Sequence, residues 1–330
     1  MYNYCTYFDS HYIHRGLALY DSFVKVCPNE FTLYVMAFDD DCYNYLKKLN
    51  LPNTVVENLN DFETPELLEA KANRTRVEYC WTCGPSVIYH FLVDKKLQEI
   101  TYVDSDLMFF SSPKAIFDEI DDNSVAITQQ KYTTKEVPEG KYCVQYMYFK
   151  NDADGVKVLK WWRDSCLEWC YSQYEDERFG DQKYLEKFFD LSDKVVVLQN
   201  RGAGVAPWNT RLLIYNGYNV ECEGKKYPIV FFHYHGVKFE DKGSVLDVYP
   251  TDGAIYKPSQ YLFEDYAKAM IGVYNKYLNV NVNSFKIHTY SVWKMLYANI
   301  KFTLRGNKIV QWLYWDVLKV RYNGHESKKI

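Results

Sequence analysis

Asp104-Ser105-Asp106 stands between two apolar runs, residues 100–103 and 107–110. In extended chain, residues i and i+2 point to the same side. At the C-terminal end of a strand in an open α/β sheet, that side is where ligands bind. Left alone, the two carboxylates repel and one tends to keep a proton. A hard divalent cation, Mn²⁺ or Mg²⁺, relieves the repulsion with oxygen ligands and is commonly shared with substrate phosphates. The pattern D-x-D also occurs in solvated turns, but the apolar residues on both flanks argue against a solvated loop. Three later segments carry further polar chemistry: Gly180-Asp181-Gln182, Gly202-Ala203-Gly204 through Asn209, and His233-Tyr234-His235-Gly236-Val237-Lys238. Each has an ordinary alternative. Asp181 can cap a helix, the glycines can serve a plain turn, and the histidines can be hydrogen-bonded core residues.

The elements around these residues read as alternating strands and helices. Tyr4 to Phe8 is aromatic and β-prone. Leu17, Tyr20, Phe23 and Val24 then recur at helical spacing. Residues 31–38 form a second strand, and Asp40 or Asp41 caps a helix through Leu46 and Leu49. Val55-Val56 is a short third strand. This βαβα order predicts a parallel sheet with helices on both faces. A long helix follows through Trp81, Val87, Ile88, Phe91 and Leu92, and residues 99–110 read as one central strand running into the two carboxylates. Residues 125–128 and 142–149, a Trp-rich helix over 156–171, and strands at 195–198, 218–220 and 229–232 complete the pattern. From 258 onward the pattern is helical alone. The expected division is therefore a domain over 1–257 and a helical extension over 258–330.

With Thr101-Tyr102-Val103-Asp104-Ser105-Asp106-Leu107 in place, the chain resembles nucleotide-sugar glycosyltransferases of the GT-A fold, most of all the family 8 class and its bacterial relatives for cell-surface glycans. Phe179-Gly180-Asp181-Gln182 resembles the family's D-Q element, and Gly202 to Asn209 a segment lining its donor site. His233-Tyr-His235-Gly236-Val-Lys238 resembles its late H-x-x-G-x-x-K element, one residue short before the lysine. The resemblance spans about residues 1–240. It implies a Rossmann-like α/β domain with a mostly parallel central sheet plus the C-terminal helical extension. It also implies a metal-dependent hexosyltransferase working on a UDP-sugar with retention of configuration. The metal would be held by Asp104, Asp106 and a late histidine, His233 being favoured over His235. Asp181 and Gln182 would face the donor sugar. Thr6, Phe8 and Asp9, after the first strand, are candidates for the uracil and ribose. Arg76, Ser105, Gly204, Asn209, His235, Gly236 and Lys238 complete the expected donor site. A sugar nucleotidyltransferase of related fold is the nearest alternative, but residues 5–15 lack its Gly-rich basic loop. A non-catalytic carbohydrate-binding protein is the other.

Composition narrows the partners. Net charge is −4, which excludes a wholly basic nucleic-acid binder. Residues 286–330 nevertheless carry nine Lys/Arg against two acids, a net of +7 that leaves −11 on the rest, together with eight aromatics. Trp293, Leu296, Ile300 and Leu304, then Ile309, Trp312, Leu313, Val317 and Val320, fall at helical spacing between the basic residues. That pattern suits a helix lying on anionic membrane, and a glycan or lipid-linked acceptor would make such attachment useful. The nine cysteines are scattered and the first residues resemble no leader, so free thiols in a cytoplasmic protein are expected, peripheral on the inner face of the membrane. Cys80-x-x-Cys83 with Cys166-x-x-x-Cys170 could assemble a zinc site, but their apolar setting reads as buried helix.

Overall fold

The aromatic residues of the first strand alternate sides, so the sheet it joins must be covered on both faces. The computed structural model describes residues 1–130, 139–250 and 257–288. In chain order, the first elements are β1 (Tyr2–Phe8), α1 (Ile13–Val26), β2 (Phe31–Ala37), α2 (Asp40–Leu49), β3 (Thr54–Asn58), α3 (Leu59–Phe62), α4 (Pro65–Asn73), α5 (Arg76–Tyr89) and β4 (Glu99–Val103). β5 (Leu107–Phe109), α6 (Lys114–Ile120), β6 (Val125–Gln129), β7 (Tyr142–Lys150), α7 (Ala153–Glu168), α8 (Phe188–Leu191), β8 (Val195–Val197) and β9 (Ala203–Val205) follow. The main sheet has seven strands in the order β3-β2-β1-β4-β7-β6-β8. Only β7 runs against the others. Tyr4, Phe8 and Leu33 pack with Leu17 and Phe23 of α1 on one face. Cys5, Met36 and Met147 pack with Val87 and Ile88 of α5 and Trp162 of α7 on the other. The mixed, mainly parallel α/β architecture is the one expected.

Residues 99–110 do not form one strand. β4 ends at Val103, and the Leu107 N–H turns back to the Asp104 carbonyl at 3.2 Å. β5 then enters a second sheet in the order β5-β13-β9, where β13 is Phe231–His233. The carboxylates therefore occupy a turn between two sheets and not an extended segment. The physical cause is a change of partner: the Asp104 N–H still bonds to the Gln145 carbonyl of β7, whereas Leu107 pairs with His233.

Between β9 and β13 lies a small antiparallel sheet, β10 (Ile214–Asn216), β11 (Asn219–Cys222) and β12 (Lys225–Pro228). The chain continues through β14 (Lys238–Asp241), β15 (Val245–Tyr249), α9 (Gln260–Lys276) and β16 (Ser284–Ile287). The expectation of helices alone after 258 fails at β16, which pairs in parallel with β15. Ser-Phe-Lys-Ile alternates exposed and half-buried positions, a period of two too short to stand out from the helical stretches around it. α9 buries Leu262, Phe263, Tyr266, Met270 and Val273 in the same core as α1. Tyr266 stacks on Tyr234 with ring centroids 3.7 Å apart. Burying such side chains contributes roughly 1.5–3 kcal/mol each, so the stretch up to residue 288 is part of the body across the expected 257/258 boundary. The basic, aromatic stripes of the tail lie outside the described residues, apart from the first three positions of that segment.

Candidate active site

The register of β5 on β13 builds the site. Leu107 opposes His233, and the Tyr234 N–H donates to the Asp106 carbonyl at 3.0 Å. Those bonds bring the imidazole of His233 against both carboxylates. His233 Nε2 lies 3.1 Å from Asp106 Oδ1 and 3.5 Å from Asp104 Oδ2. Its other nitrogen, Nδ1, lies 2.8 Å from Oε1 of Gln145, a fully buried residue of β7. Gln145 Nε2 in turn donates to Thr128 Oγ1 of β6 at 3.3 Å. An amide oxygen accepts only from a protonated Nδ1, so Gln145 fixes the ring with Nε2 toward the carboxylates. Asp104 is held separately by the Tyr102 hydroxyl, which donates to Oδ1 at 2.6 Å.

The electrostatics are those of a crowded, largely buried cluster. Burial pushes the Asp104 carboxyl up, and repulsion from Asp106 adds to this against the pull of His233. Burial also opposes ionisation of Asp106, but the charge and hydrogen bond of His233 outweigh it and hold that carboxyl well below the usual range. For His233 itself burial disfavours the charged form, yet Asp106 overcomes it and raises the imidazole well above its ordinary value. One ligand atom from each of Asp106, His233 and His235 lies within 4.8 Å of the others, the one such group among the described residues. One carboxylate oxygen and two imidazole nitrogens, backed by Gln145, form a donor set that fits a divalent cation; Asp104, expected as a ligand, stands outside that group, with its Oδ2 3.5 Å from His233 Nε2. Trp208 closes one side, its ring edge-on to His233 and His235 with centroids 5.2 and 5.7 Å away.

No family model matches the chain. Among curated proteins, YfnF of Bacillus subtilis (strain 168) is 26% identical over 262 residues, covering 75% of this chain and 86% of that one. YfnD of the same organism is 30% identical over 220 residues, covering 63% of this chain and 69% of that one. Both are described as uncharacterized. The chain belongs to the family of YfnD. Among solved structures, the galactosyltransferase LgtC in complex with donor and acceptor sugar analogs superposes with a TM-score of 0.53 at 13% identity. That match covers 82% of this chain and 95% of that one. The fold is GT-A.

Asp181 lies on a turn after Gly180, whose φ of +52° suits a residue without a Cβ. The Trp162 indole N–H donates to the Asp181 carbonyl at 2.9 Å and fixes that turn to α7. Its carboxyl is buried, and burial raises it to about 7 despite bonds from the backbone N–H groups of Asp181 and Gln182; the charge of Asp104 adds to the rise. Asp181 and Asp104 thus share one electrostatic neighbourhood, with the Tyr7 hydroxyl responding to both. Gln182 is half-buried, and its Nε2 donates to the Glu139 carbonyl at 2.9 Å.

The other expected donor residues divide. Ser105 is buried within the carboxylate turn, and Gly236, with φ +67°, turns the chain between His235 and Lys238, both exposed. Arg76 opens α5 at the surface and pairs with Asp9. Its neighbour Arg74 is instead buried, donating to Thr82 Oγ1 and to the carbonyls of Cys166 and Leu167. Thr6 and Phe8 are buried in the sheet, with Phe8 so close to α1 that a Cβ on Gly16 would meet its ring at 2.3 Å. That ring belongs to the core and offers no face to a base. Asn209 is fully buried with both ends of its amide engaged, Nδ2 donating to the Gly204 carbonyl and Oδ1 accepting from Ala206. It closes the loop begun at Gly204, where φ is +104°, and does not face outward. The nine cysteines are free, and none joins a ligand group among the described residues. Sequence reasoning missed Gln145, Tyr102 and Arg15, and took in Trp208 only as part of the Gly202–Asn209 segment. A lone glutamine inside Tyr-Cys-Val-Gln-Tyr-Met-Tyr-Phe, and a lone arginine before Gly16 in an apolar helix, were the available signals.

Proposed function

We propose that this protein is a divalent-metal-dependent glycosyltransferase that moves a sugar from a UDP-sugar to a glycan or lipid-linked acceptor in cell-surface polysaccharide synthesis. The observation that carries the reading is the convergence of Asp104, Asp106 and His233, with the buried Asp181 in the same electrostatic neighbourhood, in a GT-A fold. The likeness to a galactosyltransferase crystallised with donor and acceptor sugar analogs supports it.

Mn²⁺ or Mg²⁺ would be held by Asp104, Asp106 and His233, with His235 in reach. Bound there, it supplies fixed positive charge to the diphosphate as the bond to the anomeric carbon breaks. The chain's own residues do the rest. Lys238 offers a point charge to the leaving phosphate. Asp181 accepts hydrogen bonds from donor-sugar hydroxyls. Gln182, a neutral amide and a poor nucleophile, lies against the sugar, so transfer with retention rests on stabilising the leaving group at the same face. Arg76 adds cationic character beside Asp9. The basic C-terminal segment attaches the protein to anionic lipid at the inner face of the membrane, close to a lipid-linked acceptor. No helix among the described residues is long and apolar enough to span a bilayer.

A panel of nucleotide sugars incubated with the protein and Mn²⁺ tests the reading without an acceptor. Slow release of UDP from one donor, stopped by EDTA, is expected. No release from any nucleotide sugar, with or without candidate acceptors, would contradict it.

A further inference from the structure

Arg15 is the third residue of α1 and is buried, 8% exposed. Its Nη2 donates to the Val237 carbonyl at 2.6 Å. Its guanidinium lies over the Tyr12 ring, Cζ 4.0 Å from the centroid. Nε is buried and has no hydrogen-bond partner. No carboxylate lies within ion-pair distance of this arginine among the described residues. Its charge favours the ionisation of Asp106, which is already engaged by His233.

A buried guanidinium with an unused N–H and no anion of its own is costly. Helix α1 had no need of it, since Leu17, Leu19 and Phe23 already anchor that helix in the core. The place it occupies explains the cost. Val237 lies between His235 and Lys238, on the turn that follows His233, and the charge of Arg15 is felt at Asp106. An anionic group shared between a cation at Asp106 and the lysine at 238 would lie beside this guanidinium.

We propose that Arg15 is a phosphate-binding residue of the donor site, holding the Val237 turn with one N–H and offering the remaining donors to the diphosphate. This rests on the nucleotide-sugar reading and adds to it a guanidinium whose planar fork suits phosphate oxygens.

The test is calorimetric titration of wild type, Arg15→Met and Arg15→Lys with UDP, uridine and inorganic diphosphate, in Mn²⁺ and again in EDTA, together with melting of the free proteins. Arg15→Met should weaken UDP and diphosphate by about tenfold or more, the scale of a charge-assisted hydrogen bond. Uridine and Mn²⁺ affinities should stay within about twofold, because neither probe carries the phosphates. Arg15→Lys should recover part of the loss. If Arg15→Met does not fold, Arg15→Lys alone should still weaken UDP and spare uridine. Unchanged UDP affinity, or equal losses for UDP and uridine, would overturn the proposal and leave Arg15 as a strut for the turn. Wild type that binds diphosphate but not UDP would contradict the nucleotide reading while the Arg15→Met loss still upheld the arginine. Wild type that binds neither would overturn both.

Discussion

Gln145 carries no charge, yet the His233 ring depends on it. Replacing it with Leu keeps volume but leaves a buried Nδ1–H without its acceptor. Groups that orient a metal-bound histidine typically change metal affinity by about 10–100-fold. Gln145→Leu should therefore bind Mn²⁺ more weakly by that order in calorimetry, with the circular dichroism spectrum retained; wild-type affinity would show that the ring is oriented by packing alone. Asp181 makes a second prediction, about stability. Its folded value is about 7 against an ordinary 3.8. Below both values it is protonated folded or unfolded and contributes nothing. As pH rises between them, the unfolded chain loses the proton first, so stability falls across that window and stays lower above it. The full effect is on the order of 4 kcal/mol. Asp181→Asn should be stabilised by a few kcal/mol at pH 8 and hardly at pH 4 in urea titrations. A gap that does not widen with pH would mean that the carboxyl is solvated. Under the proposed function, the same substitution would lose sugar transfer, the trade expected where a strained group serves activity. At this scale the charged members were legible, because Asp104, Asp106, Asp181 and His233 stand in short recognisable patterns. Gln145 and Arg15 were not, since a single polar residue in an apolar element looks alike whether it supports a site or satisfies a core.

At the level of elements, the site exists because two sheets meet at one turn. Gly202 shows how tightly. A Cβ there would lie 1.8 Å from the Pro228 carbonyl oxygen, a backbone atom with little freedom to retreat. The Gly202 carbonyl also accepts from the Val230 N–H at 2.8 Å, just before β13 begins. Gly202→Ala should lower stability by at least the ~1–3 kcal/mol of an overpacked core and weaken Mn²⁺ binding by moving His233. Gly272→Ala is the control: its Cβ would meet nothing within 4 Å, and alanine in a helix should be neutral or stabilising by about 0.5–1 kcal/mol. Equal melting temperatures for the two variants would refute the steric argument. The alternation of strands and helices was readable from periodicity because the main sheet is buried on both faces. The break after Val103 was not, because apolar residues on both sides of Asp104 look the same whether they stay in one sheet or pass into another. Only the partner strand β13, some 120 residues later, decides it.

For the whole molecule, the described body extends to residue 288. The His288 N–H donates to the Val248 carbonyl at 2.8 Å, and β16 pairs along β15. A cut near 285, at the start of the basic segment, would halve that strand; removing 289–330 spares it. The shortened protein should keep its melting temperature and UDP affinity and lose binding to anionic liposomes. The full chain should lose that binding as salt rises, since exposed charges are screened beyond ~8–10 Å at physiological ionic strength. Full-length protein that ignores anionic liposomes at low salt would end the membrane reading and leave the transfer reading untouched. The direct test of the central claim is calorimetry of UDP binding with and without Mn²⁺, in wild type and in Asp106→Asn. Wild type should bind UDP tightly only with Mn²⁺, and Asp106→Asn, correctly folded, should lose that metal-dependent gain. UDP affinity indifferent to Mn²⁺, or a gain that survives in Asp106→Asn, would contradict the account.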